Sequence, residues 1–447
     1  MAQQTGQVPQ SVGLNGHRPH QTLTHGKNCV KTPSRLLAVA ATLAIQPVPA
    51  LELGHGFSLK GFGTAGIVYN ENRQADFAAE STLAASGAGR TNPLTYSVDT
   101  KAGAQLDWQA TDRFSLTAQM LVKQFPDRSW NPELQWGFVK FRASPDLDVR
   151  AGRIRPPIYL LSDYLDVNYA NPWVRPPVEF YSVTPIRHME GGDLLWRPQT
   201  GSVTWLVQPY VGRSSTPARG GEIGLDQILG LNVSASLGDF TLRTGYIHTR
   251  MTVTSNFMTL AFGAYDQLCR LGDVTACKPM RELNHKDREA SFGSVGATWD
   301  NGDYFVSGEW GRRDTDTSIA DLMSWYLSGG ARFGRWTPYL TYSEMVSDSP
   351  LDYDKGSPMT NFITTGLLRG NPTDQRTVSL GVRYDLMANL AVKAQWDHTT
   401  TECITSPDPW DGRQTGTCGG WFILATDAFN RKPQAVDLLS LSVDFVF

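Results

Sequence analysis

"VDLLSLSVDFVF", residues 436–447, decides the fold. Val436, Leu438, Leu439, Leu441, Val443, Phe445 and Phe447 are apolar, and from Leu439 onward they fall at every second position, with Ser440, Ser442, Asp444 and Val446 between them. Side chains alternate across a strand, so this spacing sets one apolar face against one mostly polar face. Left alone at a sheet edge, such a segment would be an aggregation hazard. The pattern predicts a strand that pairs on both sides, with the first strand of the chain as one partner.

Working outward from there, similar segments recur. Sixteen strands are expected, near 57–69, 97–110, 114–125, 132–143, 148–155, 191–198, 203–213, 224–237, 240–253, 289–300, 304–314, 322–334, 336–347, 375–387, 390–402 and 435–447. In "LAVKAQWDH" (390–398), Leu390, Val392, Ala394 and Trp396 share one face, and Ala391, Lys393, Gln395 and Asp397 share the other. Charges on that second face call for water there.

The connections decide the architecture. Tight links carry turn residues: "TDR" (111–113), "SPDLD" (144–148), "PQTGS" (198–202), "GDF" (238–240), "DNGD" (300–303), "GR" (334–335) and "MAN" (387–389). Longer links alternate with them, near 70–96, 126–131, 156–190, 214–223, 254–288, 315–321, 348–374 and 403–434. That regularity predicts an all-β chain folded as a transmembrane antiparallel up-and-down β-barrel of 16 strands, with short periplasmic turns and long extracellular loops. Closure is required in lipid, where unpaired backbone groups find no water. Trp108, Phe114, Phe141, Trp299, Tyr304, Trp336 and Tyr384 flank the tight turns, where an aromatic girdle would mark the membrane boundary.

Residues 1–50 are expected to be an export segment with an N-terminal extension, and 51–447 a single barrel domain. Lys27, Lys31 and Arg35 precede the apolar run "LLAVAATLAI" (36–45), which leads to the small-residue pattern "VPA" (48–50). Beyond residue 50 the chain carries 36 basic and 43 acidic residues, a net charge near −7. This balance argues against nucleic acid and leans toward cations as solutes. Cys269, Cys277, Cys403 and Cys418 are expected to form disulfides in an oxidising compartment, and the sequence-near pairing would close two local loops.

"GFGTAG" (61–66) matches a dinucleotide fingerprint, but it continues as strand rather than opening a helix. Its small residues instead suit close approach of neighbouring aromatics. No GxxxxGK[ST], HExxH or GxSxG occurs, and no cofactor is called for. A plugged barrel acting as receptor or adhesin, and an outer-membrane hydrolase, are the alternatives to a channel.

The third long link, "RIRPPIYLLSDYLDVNYANPWVRPPVEFYSVTPIRHMEGGD" (153–193), is too rich in Pro, Trp and Tyr to be a loose linker. Folded inward, it would find the lumen wall to pack on and would narrow the pore. Asp163, Asp166, Glu179 and Glu190 would then face Arg153, Arg155, Arg175 and Arg187 across a constriction, setting a transverse field. Inward strand faces carrying Lys101, Gln105, Asp107, Arg243, Arg383, Lys393, Gln395 and Asp397 would line the channel.

The run "RAGRIRPPIYLLSDYLDVNYANPWVRPPVEFY" (150–181), followed by "EGGDLLW" (190–196), resembles a segment of porin-like outer-membrane proteins of Gram-negative bacteria. "SVDFVF" (442–447) resembles the β-signal read by the barrel assembly machinery, with Phe447 and Phe445 as its aromatics. The resemblance implies an outer-membrane location amid lipid and lipopolysaccharide, passive diffusion of small hydrophilic solutes and, in many members, a homotrimer. The chain departs from the general trimeric porins in lacking an acidic "PEFGG"-like loop tip, which leaves solute class and subunit number open.

Overall fold

The computed structural model describes residues 51–80, 86–126, 128–218, 220–348, 356–368, 371–407 and 414–447. Residues 1–50, the expected export segment, lie outside the described residues. Sixteen strands form the wall. They are β1 (Phe57–Asn70), β2 (Lys101–Gln109), β3 (Phe114–Lys123), β4 (Glu133–Ser144), β5 (Leu147–Ile154), β6 (Met189–Trp196), β7 (Val203–Ala218) and β8 (Gly221–Leu237). The second half comprises β9 (Phe240–Ser255), β10 (Arg288–Asp300), β11 (Tyr304–Thr315), β12 (Asp321–Ala331), β13 (Trp336–Asp348), β14 (Gln375–Met387), β15 (Leu390–Thr401) and β16 (Ala435–Val446).

Each strand pairs antiparallel with its sequence neighbours, and β16 pairs with both β15 and β1, so the sheet closes. Phe62 opposes Val446 and Asn70 opposes Leu438 along the seam. Gly61 and Phe447 exchange backbone hydrogen bonds of 2.8 and 2.9 Å at its end. Leu439, Leu441, Val443, Phe445 and Phe447 face out, while Ser440, Ser442 and Asp444 are buried inward. The glycines of β1 explain the fit: a Cβ at Gly61 would lie 2.2 Å from the Phe447 ring, and one at Gly63 2.4 Å from the Phe445 ring. The rings of Phe447 and Phe445 thus lie over positions that only glycine leaves open.

The tight-turn rim carries outward aromatic pairs. Phe57 stacks on Trp108 at 5.3 Å, Phe114 meets Phe141 at 4.8 Å, and Trp336 meets Tyr384 at 4.5 Å. Rings with one apolar and one wet side favour such a boundary. Gly238 and Gly334 take φ of 55° and 62° in two of the turns, a left-handed conformation that other residues adopt at a cost.

One expectation about the links fails. The segment 214–223 is not a long loop, because β7 and β8 run on as a paired ribbon through Ala218 and Gly221. Pro217, Gly220 and Gly221 gave it the composition of a loop, whereas cross-strand pairing such as Thr216 with Ile223 keeps it a strand. At the same rim, α2 (Asn256–Arg270) and α3 (Val274–Glu282) form a hairpin joined by a Cys269–Cys277 disulfide, beside α4 (Pro358–Leu368). A second disulfide joins Cys403 to Cys418 in the link between β15 and β16.

Candidate constriction site

The link between β5 and β6, residues 155–188, turns into the barrel. Six prolines (156, 157, 172, 176, 177 and 185) restrict its backbone, and only a short turn at Asn168–Ala170 and a helical turn at Val178–Tyr181 are regular. Ile158, Tyr159, Leu161, Trp173, Val174, Phe180 and Val183 are buried. They meet inward rings of the far wall: Tyr159 lies 5.5 Å from Phe292, Phe180 5.6 Å from Tyr326, and Trp173 edge-on to Tyr326 at 6.1 Å. Fully burying one such side chain stabilises by about 1.5–3 kcal/mol, so this contact holds the loop against β10–β13.

An irregular loop inside a barrel must find partners for its backbone carbonyls. Cations of the wall supply them. Lys393 Nζ donates to Asn168 O at 2.7 Å and Trp173 O at 2.9 Å, while paired with Asp444 at 2.7 Å. Arg243 donates to Pro157 O at 3.0 Å and Leu160 O at 3.2 Å, and Arg383 to Asn171 O at 3.2 Å. In the opposite sense, Arg175 of the loop reaches the wall. Its guanidinium donates to both Asp99 oxygens at 2.9 and 2.6 Å, to Asp397 at 2.9 Å and to Ser440 Oγ at 2.6 Å. Glu179 accepts from Ser343, Gln375 and Thr377 at 2.6, 2.6 and 2.5 Å, and its burial pushes the carboxyl above the ordinary range.

The loop's other face looks toward β1–β4 and is charged. A cavity of about 100 Å³ there is lined by Glu80, Asp99 and Asp166 together with Lys101, Lys123, Arg155, Arg175 and Arg187. Asp166 pairs with Arg155 and lies 3.7 Å from Lys123 and 3.8 Å from Lys101. Glu80 bonds Lys123 at 2.5 Å and Arg187 at 3.1 Å. Burial would raise both carboxyls, but their cation partners outweigh it, holding Glu80 down to about 2 and Asp166 well below the carboxylate range. Five basic side chains therefore line the cavity beside three acidic ones.

The eight loop residues singled out from sequence part company here. Arg155, Asp166, Arg175 and Arg187 converge at the cavity, and Glu179 is turned to the far wall. Asp163 is exposed. Arg153 and Glu190 are paired with each other at 2.5 Å and stand opposite one another on the outward face of β5 and β6, away from the lumen. The alternation explains this: Gly152 and Ile154 point inward, so Arg153 cannot.

Of the wall residues, Lys101 joins the cavity, and Asp107 pairs with Lys60 at 3.0 Å below it. Arg243, Arg383, Lys393 and Asp397 do face inward, but they grip the loop instead of meeting open water. Sequence reasoning missed Glu80, Asp99 and Lys123 at the cavity, and Glu309, which accepts from Leu160 N–H at 2.7 Å and Tyr326 hydroxyl at 3.0 Å. Period-2 counting along "FSLTAQMLVK" puts Lys123 on the same face as Thr117 and Gln119 and would have found it. Glu80 lies in an irregular link, where no periodicity marks it.

No protein-family model and no curated protein sequence matches the chain. Solved structures do match its fold. The outer membrane channel DcaP of Acinetobacter baumannii aligns over 90% of this chain and 100% of its own, with a TM-score of 0.53 at 10% identity. OmpF of Salmonella typhi, solved in complex with daunomycin, aligns over 88% of this chain and 97% of its own, with a TM-score of 0.50 at 11% identity. With its closed ring of 16 strands, the chain has the porin-like fold of outer-membrane β-barrels.

Proposed function

We propose that the protein is an outer-membrane diffusion channel for small hydrophilic solutes, with residues 155–188 as its constriction and a preference for anions. In this reading residues 1–50 serve export, the tight turns face the periplasm, and the seam aromatics Phe445 and Phe447 guide assembly. The observation that carries it is the loop's two-sidedness: dry and aromatic toward β10–β13, charged and cation-rich toward β1–β4. A local excess of cations acts on a passing ion at close range, whereas the chain's negative net charge is spread over a screened surface.

Assembly as a homotrimer fits the outward face of β1–β6. Small residues, among them Gly61, Gly63, Ala65, Ala102, Ala104 and Ala118, flatten it, and it bears the outward Arg153–Glu190 pair, which a neighbouring copy would shield from lipid. The channel reading is tested by recording purified protein in planar bilayers under a KCl gradient. Stepwise conductance with an anion-directed reversal potential is expected. A reversal potential directed to cations would overturn the selectivity. Absence of steps would favour the plugged receptor, to which the dry half of the lumen lends itself.

A further inference from the structure

Above the loop lies a second cavity, of about 360 Å³, unlike the charged one. Its walls are mostly apolar, with Ile223 and Leu225 of β8, Ile247, Met251 and Val253 of β9, and Trp421 of the link before β16; the one carboxylate in its lining, Glu222, is exposed and accepts from Ser215 at 2.6 Å. At its floor stands one cation, Arg313 of β11. Val183 O and Ala320 O accept from its two terminal nitrogens, each at 2.6 Å, which fixes the guanidinium between the loop's exit and the β11–β12 link. A guanidinium carries five N–H donors. Arg313 Nε is buried with no hydrogen-bond partner, and among the described residues no carboxylate oxygen lies within 4.0 Å of the guanidinium nitrogens. Asp321 acts on it from beyond that range and is itself engaged, accepting from Thr315 N–H at 2.6 Å. Below the loop the contrast is plain: Arg332 and Arg383 line an inner cavity but are already paired, with Asp300 at 2.7 Å and Asp385 at 2.8 Å.

A mostly apolar chamber of this size, with one desolvated arginine that has no carboxylate in ion-pair range, lacks one thing, an anionic oxygen attached to an apolar body. We propose that the cavity is a binding site for amphipathic monocarboxylates, the carboxylate on Arg313 and the hydrocarbon against Ile247, Met251 and Trp421. As the outer station of the path described above, the site rests on the channel reading for its transport role, though not for binding itself.

The probe is 3-phenylpropionate, with propionate (the charge without the body) and 3-phenylpropanol (the body without the charge) as controls. Each is titrated calorimetrically into the detergent-solubilised full-length protein against a detergent blank. Binding of 3-phenylpropionate is expected at least tenfold tighter than either control. It should weaken at least tenfold in Arg313→Gln and less than about threefold in Arg313→Lys, since a charge-assisted hydrogen bond tolerates the ammonium better than the neutral amide. Trp421→Ala, which leaves Arg313 untouched, is expected to weaken 3-phenylpropionate but not propionate, and stands in if Arg313→Gln does not fold. Equal binding of probe and controls, or probe binding indifferent to both Arg313→Gln and Trp421→Ala, overturns the site. In bilayers, conductance steps with no calorimetric binding refute this site alone. Binding without steps refutes the channel and leaves the site standing.

Discussion

The two halves of this lumen share one wall pattern and one loop, yet they are chemically opposite. Toward β10–β13, inward Phe292, Phe305, Tyr326 and Tyr339 form a buried cluster with Tyr159, Trp173 and Phe180 of the loop. Toward β1–β4, the same loop presents Arg155, Asp166 and Arg187 to Lys101, Lys123 and Glu80. The difference teaches that an inward polar residue in a barrel is not thereby a pore residue. Lys393 and Asp397 alternate inward as faithfully as Lys101, but loop backbone and Arg175 cover them. In the proposed channel, passage is left to the side where the loop turns its charges outward from its own core.

The severest way to break this asymmetry is Arg175→Ala. Removing the guanidinium strands Asp99 and Asp397 as buried, uncompensated carboxylates, a change that costs about 3–5 kcal/mol. A fall in the thermal unfolding temperature, together with larger and noisier conductance as the loop detaches, is the expected outcome. An unaltered melting curve would mean that the loop is held mainly by its aromatic face.

A smaller, sharper effect separates two neighbouring arginines. Arg155→Ala removes a cation from the constriction and should shift the reversal potential toward cations by about 1 kcal/mol in relative permeability, or about fivefold, the scale of one charge acting over a few ångströms in a wet pore. Arg153→Ala, on the outward face, should leave it in place. Equal shifts would show that the outward assignment of Arg153 is wrong.

How far this was visible in the sequence follows the same division. Strand number, closure and the aromatic rim follow from period-2 alternation and turn residues, which are local signals. The slots at Gly61 and Gly63 were legible only as small residues near the start of the barrel; their partners, Phe447 and Phe445, meet them through closure of the whole ring. The fate of inward charges was not legible, because it depends on where a 34-residue irregular loop lies across strands more than 200 positions away, as in the Arg175–Asp397 pair. Arg153 and Glu190 were misplaced for a simpler reason: lying at strand ends, they were counted with the loop, although the alternation of β5 and β6 already governs them.

The smallest expected effect is with pH. Both Glu80, held down to about 2, and Asp166 have carboxyls lowered in the folded protein, so they keep their charge at pH values where unfolded acids, near 4, begin to protonate. Anion preference should stay flat from pH 8 to about 4 and rise only as pH falls toward about 2, where Glu80 neutralises and leaves its cation partners unopposed. A rise already complete at pH 5 would place ordinary, unpaired carboxyls in the constriction.

The most direct test compares the two walls. Lys123→Cys on β3 and Ser324→Cys on β12 both point inward, the first at the charged cavity and the second against the loop backbone, where Ser324 Oγ donates to Glu179 O at 2.7 Å. A water-soluble methanethiosulfonate added to a conducting single channel should lower the current stepwise for Lys123→Cys and leave Ser324→Cys untouched. Modification of Ser324→Cys with Lys123→Cys unreactive would contradict the account, because the open path would then run on the side assigned to the loop.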